Sequence, residues 1–595
     1  MGLFRRLNRE VRYLTGLLRT LARVRFISPT SQFLICDDLE KAVDRWRARP
    51  AIGFEGVSLT FRALDGLANR CAHWALAQGL GRGDTVALIL PNRLEYLPLW
   101  YGLTKVGVTA ALVNNQLTGV ALAHCLNISG ASHCLVDAQT EGALESARSL
   151  LDRAVRLWTL SDPRGDQLDL RKALEARSPA RPDRSARTGM TAKDTALYIY
   201  TSGTTGLPKA ARITHQRAQL FMRAFAGATA GKPSDRLYLA LPLYHSTGGL
   251  CAVGAVLLNG GSVVLRSGFS ATRFWDDVVA ADATMFVYVG EMCRYLTAQP
   301  RHSLERGHKL RLAFGNGLSP EVWPVFKARF GVPRILEFYG STEGNVSMFN
   351  FDGTPGAIGR VPSYLSGLFN AALASFDVEA GAPVRMANGL CVKAPPGEVG
   401  ECLGRIAAGA RATYAGYVDK AASETKVLHD VFTRGDHWFS TGDLMTRDKD
   451  GCFYFVDRVG DTFRWKGENV STSEVAERLL AAPGVIEATV YGVSVGHSDG
   501  RAGMAAVVAG PDFDLTIFGR HISGALAPYA QPVFLRLVAE IETTGTLKHR
   551  KIDLEADGFD PGRVASGLFF HDKLHGFVPL TAGLYAQIIA EEIKL

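Results

Sequence analysis

Two kinds of apolar and polar pattern run along this chain, and the first is helical and lies at the start. On a helical wheel of residues 3–24, Leu3, Phe4, Leu7, Val11, Leu14, Leu18 and Leu21 share about 100° of arc, while Arg5, Arg9, Arg12, Arg19 and Arg23 lie on the opposite side. That spacing predicts an amphipathic helix. From 58 to 137 helix-like and strand-like segments alternate: an amphipathic run over 60–78, a buried strand over 84–90, and a helix through Thr104 capped by Pro91-Asn92. A strand at 109–113, a helix near 120–127 and a strand at 133–137 continue the series. Such alternation predicts layered α/β structure around a largely parallel sheet. Residues 161–195 are polar, rich in Arg, Asp, Pro and Ser, and read as a surface connection. The α/β pattern resumes over 196–378, and short Gly- and aromatic-rich runs between 395 and 457 predict a small β-subdomain. New elements at 474–480, 485–493 and 503–508 predict a separate, smaller α+β domain. The expected organisation is α/β: a basic helical segment over 1–29, a large body of layered α/β subdomains with a small β-subdomain over 30–459, and a smaller domain over 460–595.

Charge sharpens the picture of the first helix. The chain has 595 residues and a net charge of +8; residues 1–26 hold seven arginines and one glutamate, which account for +6 of it. The rest is near neutral, so no nucleic-acid-sized basic surface is expected. A spanning helix is excluded, because each arginine at the membrane centre costs about 2.5–3.5 kcal/mol. A helix lying in the headgroup region gains roughly 1 kcal/mol per basic residue near anionic lipid. Peripheral attachment to the inner face of the cell membrane, on the cytoplasmic side, is therefore expected, with docking on the protein's own core or a partner subunit as the alternative. Nine cysteines, at 36, 71, 125, 134, 251, 293, 391, 402 and 452, form no CxxC pair and read as reduced core residues. The longest uncharged stretch, 237–265, is interrupted by Pro242, Gly248-Gly249 and Asn259-Gly260-Gly261, which fits a short buried helix, a turn and a strand rather than a membrane span.

Candidate chemistry begins where the strand at 196–200 runs into Thr201-Ser202-Gly203-Thr204-Thr205-Gly206-Leu207-Pro208-Lys209. Glycines let the backbone N–H groups converge, and four hydroxyls and a lysine add donors, which suits a polyphosphate. A Walker A loop is excluded, because Lys209 follows Gly206 by three residues and precedes Ala210. Further motifs follow in order: Leu241-Pro242-Leu243-Tyr244-His245-Ser246-Thr247-Gly248, Phe314-Gly315-Asn316-Gly317, Tyr339-Gly340-Ser341-Thr342-Glu343-Gly344, Thr441-Gly442-Asp443, Asp457-Arg458-Val459-Gly460-Asp461, Trp465-Lys466-Gly467-Glu468-Asn469 and Thr544-Gly545-Thr546-Leu547-Lys548.

Over roughly residues 50–560 this ordered set resembles the adenylate-forming superfamily, which contains acyl-CoA synthetases, firefly luciferase and peptide-synthetase adenylation domains. The resemblance implies that Thr201, Ser202, Gly203, Thr204, Thr205, Gly206 and Lys209 handle the β- and γ-phosphates of ATP, with Thr204 also catalytic. It implies that Gly315, Asn316 and Gly317 form an adenine-binding turn and that Tyr339 stacks on adenine beside Gly340. Ser341 and Thr342 would lie near the α-phosphate and Glu343 would hold Mg2+, while Asp443 grips the ribose and Arg458 makes a second nucleotide contact. His245 would border the carboxylate substrate and Gly467 would let the arm of coenzyme A pass. Gly460 stands at the family's pivot, implying a mobile smaller domain. The family's catalytic lysine directly follows a glycine; Thr546 stands there, and Lys548, two residues on, is expected to replace it.

The stretches 439–445 and 453–472, together with Thr544-Gly545-Thr546-Leu547-Lys548, closely resemble the fatty-acid transport protein group, also called very-long-chain acyl-CoA synthetases. That resemblance implies a fatty acyl substrate, with ATP, Mg2+ and coenzyme A, and uptake coupled to esterification. The alternatives are an acyl-AMP ligase, a ligase for another carboxylic acid, and a fatty-acid binding or transport protein without catalysis. The sequence is compatible with a homodimer.

Overall fold

Strands Thr85–Leu88, Thr109–Leu112 and His133–Val136 are buried along their whole length, without the alternation of a sheet that faces water on one side. They pair in parallel, as runs of this kind do when helices cover both faces. The computed structural model that shows this describes residues 2–201, 207–407, 413–466, 468–496, 500–544, 549–564, 567–572, 574–593 and 595, with side chains from residue 6 onward. Two units are present: Met1–Asn370 with Gly404–Leu428 and His437–Phe439, and Ala371–Leu403 with His429–Asp436 and Ser440–Leu595.

The first unit holds two sheets. One has seven strands in the order Leu168–Asp169, Arg156–Thr159, His133–Val136, Thr85–Leu88, Thr109–Leu112, Thr195–Thr201 (β1) and Lys209–Thr214 (β2). The other has eight, from Val57–Thr60 and Pro50–Phe54 through Ser262–Leu265 and Arg236–Leu239 to Met285–Val289 (β3), Leu312–Asn316 (β4), Ile335–Gly340 (β5) and Ser347–Asn350 (β6). Parallel pairing dominates both, and antiparallel hairpins close their edges, β1 with β2 and β5 with β6. Asn92 ties the sheets together: its amide donates to the carbonyls of Leu241 (3.0 Å) and Arg266 (2.9 Å) and accepts from the Leu243 N–H (2.9 Å). The expected capping role is thereby corrected, since the following helix, Tyr96–Lys105, starts after Glu95 without a side-chain cap.

The polar stretch 161–195 is fastened by buried charge. Arg181 reaches Asp65 (3.1 Å) and Asp44 (2.8 Å), and Arg187 reaches Asp37 (2.7 Å). Lys105 lies buried between Asp65 (2.6 Å) and Glu40 (3.0 Å). Each ion there needs its partners, because an unpaired buried charge is far costlier than the bridge is stabilising.

His437–Arg447 (β7) pairs antiparallel with Cys452–Arg458 (β8) in a small sheet that also contains Gly400–Ile406 and Ala371–Asp377. A five-stranded sheet follows, with the helices Thr472–Leu480 and Leu515–Ala525 and a core around Phe534, Phe518 and Leu479. All nine cysteines are buried and unbridged.

The first helix, α1 (Gly2–Val24), docks on the first unit through a face that its apolar stripe did not mark. Tyr13, Gly16, Leu17, Thr20 and Val24 are buried, at the spacing of a single helical face. They lie against His215–Ala228 (α2) and the segment after β6. Burying Tyr13, Leu17 and Val24 contributes roughly 1.5–3 kcal/mol each before entropy is counted. The Tyr13 hydroxyl donates to the Arg360 carbonyl (2.7 Å), and Arg9 pairs with the buried Asp352 (2.9 Å). Glu10 pairs with Arg360 and accepts from the Tyr364 hydroxyl (2.6 Å). Meanwhile Leu7, Val11 and Leu18 stay 61%, 54% and 65% exposed. No helix among the described residues is long and apolar enough to cross a membrane.

The helices cross at Gly227, where a Cβ would lie 2.8 Å from both the Arg19 carbonyl oxygen and the Thr20 Cα. Gly227→Val is therefore expected to destabilise the protein by about 1–3 kcal/mol through overpacking and to loosen α1. Urea unfolding and tryptic cleavage within α1 measure this; an unchanged midpoint with unchanged cleavage would show that the crossing is not tight.

Candidate active site

Thr201 ends β1 and faces Lys209, the first residue of β2, across the hairpin register. Residues 416–418 add themselves to the outer side of β2, with Val418 donating to Ala210 (2.9 Å) and Arg212 to Gly416 (3.0 Å). Tyr417 is thereby carried to the end of the β1–β2 hairpin where Thr201 faces Lys209. Its ring lies 5.8 Å below the Lys209 ammonium, its hydroxyl donates to Glu343 Oε1 (2.9 Å), and its hydroxyl also engages Thr201. Burial, followed by the neighbouring Glu343, raises the Tyr417 phenol far above its ordinary value, so it remains a donor.

Glu343 reaches this point from the end of β5, where Tyr339 and Gly340 close the strand and Ser341, Thr342 and Glu343 form the following turn. Arg217, in the first turn of α2, holds that turn in place. Its guanidinium donates to the carbonyls of Ser341 (2.8 Å) and Thr342 (2.7 Å). Burial pushes its pKa down to about 10, against the opposing pull of Glu343, and it stays cationic at neutral pH. The Thr342 hydroxyl meets the Ser246 hydroxyl at 2.9 Å, which joins the turn to the motif containing His245. The Ser341 hydroxyl caps its own turn through the Gly344 N–H (3.1 Å). His245 lies two residues before a π-helical turn, Thr247–Ala252; its carbonyl accepts from the Gly249 N–H (2.7 Å) and its ring lies against Tyr244 (4.5 Å).

Gly315 and Asn316 end β4 and Gly317 forms the turn that follows. Glu337 on β5 anchors this turn from beneath: its carboxyl accepts from the Leu318 N–H (3.0 Å) and from the Tyr288 hydroxyl, and also from the Gly317 N–H. Burial raises its pKa to about 8 despite these three donors. Tyr288 on β3 and Cys293 are both raised by burial and, further, by the charge of Glu337. Lys209, Ser341, Thr342, Glu343, Ser246 and Tyr417 thus surround one locus in the first unit, with the Gly315–Gly317 turn buttressed against Tyr339's strand.

In the second unit, Asp443 and Arg458 face each other across β7 and β8, the Arg458 guanidinium 3.4 Å from the Asp443 carboxylate. Glu401 supports the approach to Asp443 by accepting from the Ser440 hydroxyl (2.5 Å) and the Gly442 N–H (3.2 Å). Gly460 has φ +96°, a conformation that strains any side chain. Beyond it, Lys551 contacts Asp461 (3.4 Å) and donates to the Thr472 hydroxyl (2.9 Å). Ser202, Gly203, Thr204, Thr205, Gly206, Gly467, Thr546 and Lys548 lie outside the described residues.

Motif reading missed Arg217, Glu337 and Tyr417, and gave Ser246 no role. Glu337 carried one signal, a charged residue inside an otherwise apolar strand, and Arg217 carried none, because its helix holds other polar residues and a second arginine; Tyr417 carried none, because the chain brings it to Lys209 from more than two hundred residues away. Among the described residues no group of three or more His, Cys, Asp or Glu could hold a metal. The Glu343 carboxylate with adjacent hydroxyls is a hard oxygen set, which fits Mg2+ completed by phosphate oxygens and water.

Two layered, largely parallel α/β sheets, with the β1–β2 hairpin and the Glu343 turn at their ends, are the architecture of an adenylate-forming enzyme fold. Consistent with that class, the structure superposes on an anthranilate CoA ligase in complex with anthranoyl-AMP with TM-score 0.74 at 21% identity, covering 90% of this chain and 98% of the other. ATP-bound MatB from Rhodopseudomonas palustris gives TM-score 0.72 at 25% identity, covering 88% and 98%. Residues 39–417 match the AMP-binding enzyme family model, and the chain belongs to that family. In sequence it is similar to the long-chain fatty acid transport protein 6 of Mus musculus, 40% identical over 571 residues, covering 94% of this chain and 91% of that protein.

The buried Glu337 makes stability depend on pH. Between the ordinary glutamate value and about 8 the folded protein keeps a proton that the unfolded chain releases, so this group's contribution falls as pH rises through that window. Glu337→Gln should remove the slope: in urea unfolding from about pH 5 to pH 8, the variant should gain on the wild type as pH rises. A difference constant across that range would mean that Glu337 is ionised throughout.

Proposed function

We propose that this protein is a long-chain or very-long-chain fatty acyl-CoA synthetase that converts ATP, a fatty acid and coenzyme A to acyl-CoA, AMP and pyrophosphate through an acyl-adenylate. The observation that carries the reading is the convergence of Lys209, Glu343, Thr342 and Tyr417 on one locus, with His245's motif joined to it through Ser246. A carboxylate is a poor acylating agent because its leaving group would be oxide; joining it to AMP supplies a good one. Little side-chain chemistry is then needed, and positioning with charge stabilisation provides most of the catalysis.

In this reading the 201–209 loop cradles the outer phosphates, Thr204 and Lys209 donating. Tyr339 stacks on adenine against the turn Gly315-Asn316-Gly317. Ser341 and Thr342 line the α-phosphate, with Arg217 fixing their backbone. Glu343 would hold Mg2+, which supplies charge neutralisation when bound. Asp443 takes the ribose hydroxyls and Arg458 makes the second nucleotide contact. Lys548 stabilises the α-phosphate charge during adenylation, and Gly460 lets the domain over 460–595 turn so that Gly467 admits the thiol of coenzyme A. Similarity to a long-chain fatty acid transport protein supports a fatty acyl substrate and uptake coupled to esterification. The basic α1 supports work at the cytoplasmic, inner face of the cell membrane.

CoA-dependent AMP release across acids of increasing chain length tests the reading, with the highest kcat/KM expected for long chains. Absence of AMP release would favour a binding role, and adenylation without thioester formation would favour an acyl-AMP ligase. Lys548→Ala should abolish most ATP–pyrophosphate exchange; full exchange would remove that lysine from the mechanism. Arg217→Met should lower exchange by about 10- to 100-fold, the loss of charged hydrogen bonds worth roughly 1.5–3 kcal/mol. Unchanged exchange would show that the Ser341–Thr342 turn holds itself.

A further inference from the structure

The described face of α1 that stays uncovered does not end with the helix. Glu10 accepts from the hydroxyl of Tyr364, which belongs to the short helical turn Ser363–Leu368. Tyr364 and Leu368 are 61% and 58% exposed, and no charged residue occurs between Arg360 and Asp377. Leu7 lies one turn before Glu10 on α1 and Val11 directly follows it, which puts the start of the exposed stripe of Leu7, Val11 and Leu18 next to this turn. Phe26, just beyond α1, is also exposed, with the Arg25 guanidinium over its ring. Over the roughly 20 residues from Leu7 to Phe26, at about 1.5 Å each, apolar side chains line an edge of about 30 Å.

The charges beside this edge are of one sign. Arg6, Arg12 and Arg19 are exposed. Arg334 lies near Arg12 and Arg19, its own pKa pushed down to about 10 by burial and by those neighbours. Glu10, the one acid of α1, is neutralised from within by Arg360. A second copy of the chain docked face to face would set arginine against arginine, since a twofold interface presents the same patch to itself. A bilayer with anionic headgroups complements both features at once: it takes the apolar edge into the acyl boundary and the arginines at the phosphate level.

We propose that α1 and the Ser363–Leu368 turn form one composite surface that seats the protein on an anionic lipid bilayer, with Tyr364 and Leu368 as a second anchor beside the helix. This rests on the membrane-surface reading of α1 given above and adds to it a site outside the first 29 residues. The helix does not leave the protein to reach lipid; it is held by Tyr13, Leu17 and Val24 and presents its other face.

The test uses the full chain with vesicles of phosphatidylcholine, with and without phosphatidylglycerol, in a flotation assay. The wild type should partition at least several-fold more onto the anionic vesicles, and less at high salt. Leu368→Ser and the double variant Tyr364→Ser/Leu368→Ser should each weaken partition, the double about tenfold, as should Val11→Ser/Leu18→Ser. Melting temperature and AMP release from a short, water-soluble acid should be unchanged, which separates this proposal from the enzymatic one. If only the α1 variant loses binding, the composite surface is overturned and the helix acts alone. If no variant changes partition, or if the face instead mediates a dimer that these substitutions dissociate in solution, the proposal is also overturned. Loss of AMP release in the wild type would count against the synthetase and leave the partition results standing.

Discussion

A guanidinium that has lost its water must find acceptors, and Arg217 finds them in two backbone carbonyls of the turn that carries Glu343. Much of the site follows from this one buried charge. With Ser341 and Thr342 fixed, the Thr342 hydroxyl can meet Ser246 and the Glu343 carboxylate can receive Tyr417. Tyr417 in turn brings the 416–418 segment against β2, beside Lys209. An exposed arginine could swing between partners, but a buried one fixes the turn because every alternative leaves it unsatisfied.

The same helix has a second duty at its other end. Ten residues beyond Arg217, about 15 Å along α2, Gly227 receives α1. One rigid element therefore joins the turn that carries Glu343 to the helix with the exposed apolar edge. Arg334 reinforces that end by donating to the Ala228 carbonyl (3.2 Å) while lying near the arginines of α1. In the proposed reading, the chemistry and the lipid-seating surface would be held in one frame.

Much of the fold was legible because it is written locally. Continuous apolar runs such as Thr85–Leu88 and His133–Val136 identified the parallel sheet, and the glycine-rich and carboxylate-bearing motifs stood out as contiguous strings. Asn92 was misread as a cap because a cap and a bridge between sheets use the same amide; only the distant carbonyls of Leu241 and Arg266 distinguish them. The polar stretch 161–195 looked like a solvated connection because arginines usually are solvated, yet Arg187 is paired with a buried aspartate. Glu337 and Tyr417 belong to no string at all: each acts through a partner that folding alone brings near.

The first helix draws the same boundary within a single element. Its sequence determined that it is helical, that it carries an apolar stripe, and that arginines flank the stripe, since these depend only on spacing and charge. Which face would be buried was decided by tertiary structure. Docking selected Tyr13, Gly16, Leu17, Thr20 and Val24 because Gly16 leaves room for the Phe351 ring, Gly227 lets the helices cross closely, and a tyrosine hydroxyl finds a carbonyl. Hydrophobic periodicity measures apolarity alone, whereas burial answers to shape and hydrogen bonding in the partner surface, which no single helix contains.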